Sequence, residues 1–165
     1  MPNILFVCTA NICRSPMAEA MFDQLVRSKK LPGSWTVASA GTWAQDGNRA
    51  SENGRELMNT WDLDISKHRS RIVRPGLLEA ADLILTMEES HKEALLAEFA
   101  GLAGRVFMLS EMTGTVRDIG DPYGGSMQEY RDTAREIAGY LDKGYPKILK
   151  LLERPGDPVK RGASG

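Results

Sequence analysis

Five residues separate a cysteine from an arginine in the run Cys8-Thr9-Ala10-Asn11-Ile12-Cys13-Arg14-Ser15. A thiol and a guanidinium at that spacing suit one kind of chemistry. Arg14 offers two parallel N–H donors that match two oxygens of a tetrahedral oxyanion. A sulfur held beneath that anion as a thiolate is a nucleophile aimed at its central atom. A phosphate monoester attacked in line must also lose its alkoxide or phenolate, which leaves faster when an acid supplies a proton. Asp121, in the turn-like Asp121-Pro122-Tyr123-Gly124-Gly125, is the candidate donor, with Pro122 fixing the backbone beside it. Asp118 competes for the role, but no proline follows it. Taken singly, Cys8 could be a small apolar residue finishing a strand and Asp121 an ordinary turn residue; spacing and setting together carry the reading.

The setting follows from the apolar pattern. Ile4-Leu5-Phe6-Val7-Cys8 is a continuous apolar run, as expected of a strand buried in a parallel sheet. Ser15-Pro16 reads as an N-cap with proline at the first helical position, and Met17, Met21, Phe22, Leu25 and Val26 continue at helical spacing to about Ser28. The stretch between strand and helix must curl, turning backbone N–H groups inward, and the helix start adds more N–H groups and partial positive charge. Further strands are expected over 35–39, 82–87 and 106–109. Helices are expected over 52–59, 75–80 and 88–99, with a last one from the capping box Ser126-x-x-Glu129 to about Leu152. Gly144-Tyr145-Pro146 should kink or interrupt that last helix. The Pro- and Gly-rich stretch 154–165 is expected to be disordered, leaving a single domain over 1–153. Alternating strands and helices imply an α/β fold with a small, about four-stranded parallel sheet flanked by helices on both faces. Ligands of such folds bind beyond the carboxyl ends of the strands, which is where Cys8 falls.

Composition narrows the partners. The 165 residues are 42% hydrophobic, enough for one core. With 21 Lys+Arg against 22 Asp+Glu, the chain lacks the basic excess of a general nucleic-acid binder. No apolar run approaches the roughly 18 residues that span a bilayer, and no basic stretch precedes Ile4 as a signal peptide would require. A cytoplasmic monomer is expected. Cys8 and Cys13 do not make a disulfide framework, and with His68 and His91 they lack the paired spacing of a zinc site.

Val7-Cys8-Thr9-Ala10-Asn11-Ile12-Cys13-Arg14-Ser15-Pro16-Met17-Ala18-Glu19-Ala20 resembles the signature of the low-molecular-weight protein tyrosine phosphatase family. Ser39-Ala40-Gly41-Thr42 and Asp121-Pro122-Tyr123 resemble its second and third landmarks, and the likeness runs to about Leu152. The resemblance implies a four-stranded parallel sheet and hydrolysis of phosphotyrosine through a phosphocysteine intermediate, with neither metal nor cofactor. Phosphotyrosine-bearing proteins, a tyrosine kinase among the candidates, would be the partners. Carried over, Cys8 resembles the nucleophile, Arg14 the phosphate clamp and Asp121 the general acid that later activates water. Thr9, Ala10, Asn11, Ile12, Cys13 and Ser15 fall in the phosphate-binding loop. Asn11, Ser15 and Ser39 resemble the residues that brace it, with Ser15 donating toward the Cys8 sulfur. Cys13 is similar to the cysteine that could pair reversibly with Cys8 under oxidation, or could be a buried small residue.

Two departures stand out. Many members carry Gly where Ala10 stands, so Ala10 needs negative φ or a strained loop. The histidine that members carry beyond the second helix is replaced by Lys67, with His68 one place later, which leaves a bracing role for His68 open. Ile12, Trp43 and Tyr123 are placed to line the substrate cleft, although Trp43 could equally pack partly into the core. Trp35 and Trp61 belong to the core, His91 to the surface, and Lys67-His68-Arg69-Ser70-Arg71 to a solvated face. Three rival functions share parts of this pattern. A thiol-dependent arsenate reductase would need further cysteines after Cys13, and there are none. A non-catalytic phosphate-binding module would lack Cys, Arg or Asp. A protein arginine phosphatase of the same fold is the nearest rival, since residues 78–125 are similar to arginine-specific relatives.

Overall fold

Side chains along the first strand, β1 (Asn3–Cys8), are shared between two cores. Ile4, Phe6 and Cys8 enter one, with Met17, Phe22, Ile137 and Leu141, while Leu5 and Val7 enter the other, with Leu78, Ile84, Leu95 and Val106. This two-sided burial is why the strand reads as continuously apolar rather than alternating. The computed structural model describes residues 1–153, and the expected tail over 154–165 lies outside them. After β1 come α1 (Arg14–Ser28), β2 (Thr36–Gly41), α2 (Glu52–Thr60), α3 (Pro75–Ala80), β3 (Leu83–Thr86), α4 (Glu89–Glu98) and β4 (Val106–Met108). A 3-10 turn (Leu109–Thr113) and α5 (Met127–Leu152) complete the order.

The four strands form one parallel sheet in the order β2-β1-β3-β4, with Phe6 opposite Ser39 on one side and Leu85 on the other. From β1 the chain goes outward to β2 and then returns to β3 on β1's other side. The segments that leave β1 and β3 therefore diverge above the carboxyl edge and open a crevice there, which is where ligands bind in open α/β sheets. The expected four-stranded sheet with helices on both faces is the one observed.

Three local readings change. Helix α1 begins at Arg14, because the Cys13 carbonyl already accepts from Met17 N at 3.4 Å. Ser15 is therefore not the N-cap but lies within the first turn, where its hydroxyl is free for other work. Pro16 fits there because first-turn amides have no intrahelical acceptor. Helix α5 is not interrupted at Pro146. Pro146 and Asp142, whose carbonyl loses its partner, both lie on the exposed side, where water can take the missing donor's place. Its buried stripe, Tyr130, Ala134, Ile137, Leu141 and Ile148, packs over α1. The 3-10 turn, unforeseen, meets α5 at Gly144, where a Cβ would come within 2.6 Å of Met112 Cβ.

Candidate active site

The segment between β1 and α1 turns its carbonyls outward. Cys8 O accepts from Thr42 N at 2.9 Å, Thr9 O from Trp43 N at 3.0 Å, and Ile12 O from Ser51 N at 2.8 Å. Asn11 O accepts from His68 Nε2 at 2.7 Å. Within a trans peptide the C=O and the following N–H point in opposite directions. Tying these four carbonyls to the surroundings therefore directs the amides of Thr9, Ala10, Ile12 and Cys13 toward the inside of the loop. They join the start of α1 as an anion-binding nest. Asn11 makes the turn possible with a left-handed backbone, φ 60°. Ala10 is not among the described residues with positive φ, so its side chain brings no backbone strain. Gly41 is required by close approach, since a Cβ there would stand 2.3 Å from the Thr9 carbonyl oxygen.

The polar groups around Cys8 form a connected chain. Arg71 N donates to Asn11 Oδ1 at 3.0 Å, so the Asn11 amide presents its Nδ2 hydrogens to Ser15 Oγ at 2.7 Å and Ser39 Oγ at 3.0 Å. Ser15 Oγ lies 3.0 Å from Cys8 Sγ, within hydrogen-bond distance of the sulfur. Ser39 in turn is hydrogen-bonded to the carboxyl of Glu19, which burial pushes up to about 7 against the pull of Ser39 and Arg71. His68 must carry its hydrogen on Nε2, because a carbonyl only accepts, and burial lowers its pKa. It braces the loop despite its displaced position in the sequence. The basic run is accordingly not a uniformly solvated face: Lys67 and Arg69 are exposed, but Ser70 is buried and His68 and Arg71 are half-buried.

Arg14, only 1% exposed, is held by acceptors on the far side of the crevice. Its Nη1 donates to Glu88 Oε2 at 2.5 Å and to Ile119 O at 2.7 Å. Nη2 reaches Thr9 Oγ1 at 3.4 Å and lies 3.7 Å from Asp121 Oδ2. Nε has no partner and is the one buried side-chain nitrogen or oxygen in that state among the described residues. A buried guanidinium N–H without an acceptor is costly unless a ligand completes it, and an oxyanion over the loop would do so. Glu88 was not singled out from the sequence. It follows β3, and only the strand order, with β3 beside β1, places it against Arg14.

Asp121 is exposed, with Oδ1 accepting from Tyr123 N at 3.0 Å in a local turn. Asp118, the expected competitor, is occupied elsewhere: its Oδ1 accepts from Glu89 N at 2.8 Å, at the start of α4. Trp43 and Tyr123 are 84% and 67% exposed, so Trp43 does not pack into the core, whereas Trp35 and Trp61 pack against it. Ile12 is half-buried. Cys13 is buried, with Sγ 3.3 Å from Tyr130 Oη, and burial raises its thiol pKa.

His91 overturns the surface assignment. It is 4% exposed, its Nδ1 accepts from Glu88 N at 3.1 Å, and its Nε2 stands 2.8 Å from Thr9 Oγ1. Its charged sequence neighbours Glu89 and Glu93 are exposed. They mislead because the carboxyl edge of the sheet, against which the first turn of α4 rests, is itself polar.

Among the described residues no helix is long and apolar enough to cross a membrane. Comparison with known proteins agrees with the geometry. The family model described as low molecular weight phosphotyrosine protein phosphatase matches residues 3–154. A probable low-molecular-weight protein-tyrosine-phosphatase of Ralstonia solanacearum is 39% identical over 149 residues, 90% of this chain and 97% of that one. A protein-arginine-phosphatase of Bacillus subtilis is 37% identical over 140 residues, 84% of this chain and 91% of the other. The crystal structure of a low molecular weight protein tyrosine phosphatase from T. tengcongensis superposes with a TM-score of 0.84 at 38% identity, covering 89% of this chain and 99% of that one. A cysteine beneath an inward-facing ring of amides, an arginine with one free N–H, and a match over nearly the whole chain lead to one assignment: the protein belongs to the low-molecular-weight phosphotyrosine protein phosphatase family.

Proposed function

We propose that this phosphatase hydrolyses phosphotyrosine in proteins, as a cytoplasmic monomer, with Cys8 as nucleophile, Arg14 as phosphate clamp and Asp121 as general acid and then base. Cys8 Sγ attacks phosphorus, forming the S–P bond as the P–O bond to the tyrosine oxygen breaks, and Asp121 gives its proton to that oxygen. Water, losing a proton to Asp121, then attacks phosphorus, and the sulfur departs as a thiolate stabilised by the Ser15 hydroxyl. The carrying observation is the set of outward-tied loop carbonyls, which leaves the amides and Arg14 Nε for the phosphoryl oxygens. Cys8→Ser tests it: hydrolysis should fall by about a thousandfold or more, while phosphate binding persists. Near-normal turnover by Cys8→Ser would end the covalent mechanism.

Substrate choice rests on Ile12. Its branched apolar side chain suits the carbon ring of a phenyl ester and leaves a cationic guanidinium poorly solvated, and the exposed rings of Trp43 and Tyr123 supply walls for an aromatic group. The arginine phosphatase of Bacillus subtilis among the relatives keeps phosphoarginine as the second reading. The ratio of kcat/KM for phosphotyrosine over phosphoarginine peptides decides. Wild type should prefer phosphotyrosine, and Ile12→Thr should shift the ratio toward phosphoarginine by about tenfold. Wild-type preference for phosphoarginine would reverse the assignment, and an unchanged ratio in the variant would clear Ile12 as selector.

A further inference from the structure

The ring of His91 takes no part in the chemistry above, yet both of its nitrogens are engaged beside the phosphate site. The Glu88 backbone N–H, one of the amides that a helix start leaves without an intrahelical acceptor, donates to Nδ1 at 3.1 Å. An Nδ1 that accepts carries no hydrogen, so Nε2 is the protonated nitrogen and donates to Thr9 Oγ1 at 2.8 Å. Thr9 Oγ1 also faces Arg14 Nη2 at 3.4 Å, and the Glu88 carboxylate takes Arg14 Nη1 at 2.5 Å. Two of the groups that hold the guanidinium are thus joined to each other through one imidazole. We propose that His91 is a positioning residue, whose neutral Nε2–H ring fixes Thr9 and Glu88 relative to one another and so aims Arg14 at the bound phosphate.

The charges around the ring fit a histidine kept neutral. Glu88, which caps the start of its helix, with Asp118 and Asp121 from the segment before α5, favours the imidazolium. Arg14 opposes it, and burial outweighs the carboxylates, so the pKa lies below the ordinary histidine value. Protonation of Nδ1 would set one N–H against the Glu88 N–H and place a second cation beside Arg14. Acidification should therefore break the bond from the Glu88 amide while the Nε2–H stays on Thr9, so the ring no longer holds the two relative to each other.

The proposal rests on the phosphatase reading for its kinetics, but its first test needs no turnover. Nitrogen-15 spectra of the wild-type protein at pH 7.5 should show the His91 ring neutral with hydrogen on Nε2. A charged ring, or hydrogen on Nδ1, would overturn the proposal and leave the phosphatase assignment untouched. Two substitutions then divide the ring: His91→Asn keeps an acceptor near the Nδ1 position and loses the donor to Thr9, and His91→Gln places a donor near the Nε2 position. With an aryl phosphate, His91→Asn should lower kcat by about tenfold or more with little change in KM, since a misaimed guanidinium fails mainly in the transition state. His91→Gln should recover part of that loss, and vanadate inhibition should weaken more than phosphate inhibition. Thr9→Val, which keeps the shape and removes the oxygen, should cost a similar factor. Combined with His91→Asn it should cost no more than either change alone. Additive losses, or folded His91→Asn protein with turnover within about twofold of wild type, would reject the positioning role. Should His91→Asn not fold, Thr9→Val and the wild-type spectra still decide it.

Discussion

Asn11 can serve Cys8 only because its side-chain amide cannot turn over. The Arg71 N–H on Oδ1 leaves Nδ2 for the two serines, and Ser15 Oγ in turn lies 3.0 Å from the sulfur. Asp121, the proposed general acid, is looser, exposed and turned onto its own loop. Asp121→Asn should therefore leave nitrophenyl phosphate turnover much less affected than tyrosine phosphate turnover. A tyrosine phenolate, with a pKa of about 10, needs the proton, and its loss should be about a hundredfold or more. Equal losses for the two substrates would remove Asp121 from the acid role. Cys13, read as the resolving thiol for an oxidised Cys8, is buried with a raised pKa, so closure of the Cys8–Cys13 disulfide after mild peroxide should quicken as pH rises from 7 to 9. Mass spectrometry showing only sulfinic or sulfonic Cys8 at both pH values would dispose of that reading.

The elements show which parts of the site could be read in advance. Cys8, Arg14, Asn11 and Ser15 fall on one contiguous run between a strand and a helix, so local pattern was enough to bring them together. Ser39 lies within a strand in register with β1 and followed from the second landmark. Glu88 and His91 were missed for a common reason: they reach the site through the order of the strands, β3 beside β1, which no periodicity along the chain reports. The start of α1 was misplaced because serine before proline is a strong capping signal. Here Cys13 flanks the helix, and the Ser15 side chain is committed to Cys8 and Asn11 instead. Pro146 misled in the opposite sense, since a proline on a solvated helix face costs one backbone bond that water can replace.

Stability of the molecule as a whole should carry the imprint of its buried titratable groups. Glu19, with a carboxyl pKa raised to about 7, binds more protons folded than unfolded between its unfolded value and 7. Its contribution is therefore fully present in acid and lost as pH rises through 7, with an upper limit of about 3 kcal/mol. His68 and His91, lowered by burial, act the other way, removing stability as pH falls below the ordinary histidine value. Urea denaturation of wild type and Glu19→Gln at pH 5 and pH 8 separates the two effects. The variant should gain stability relative to wild type at pH 8, and an unchanged difference would mean that Glu19 titrates like an exposed carboxyl. The contact between Cys13 and Tyr130 spans 117 positions of the chain. During synthesis Cys8, Arg14 and Asp121 all emerge before α5, the helix that closes over the underside of their loop. On the proposed assignment, a ribosome-bound chain halted there would hold nucleophile, clamp and acid without the support beneath them, and should stay silent toward phosphoproteins until its last helix docks.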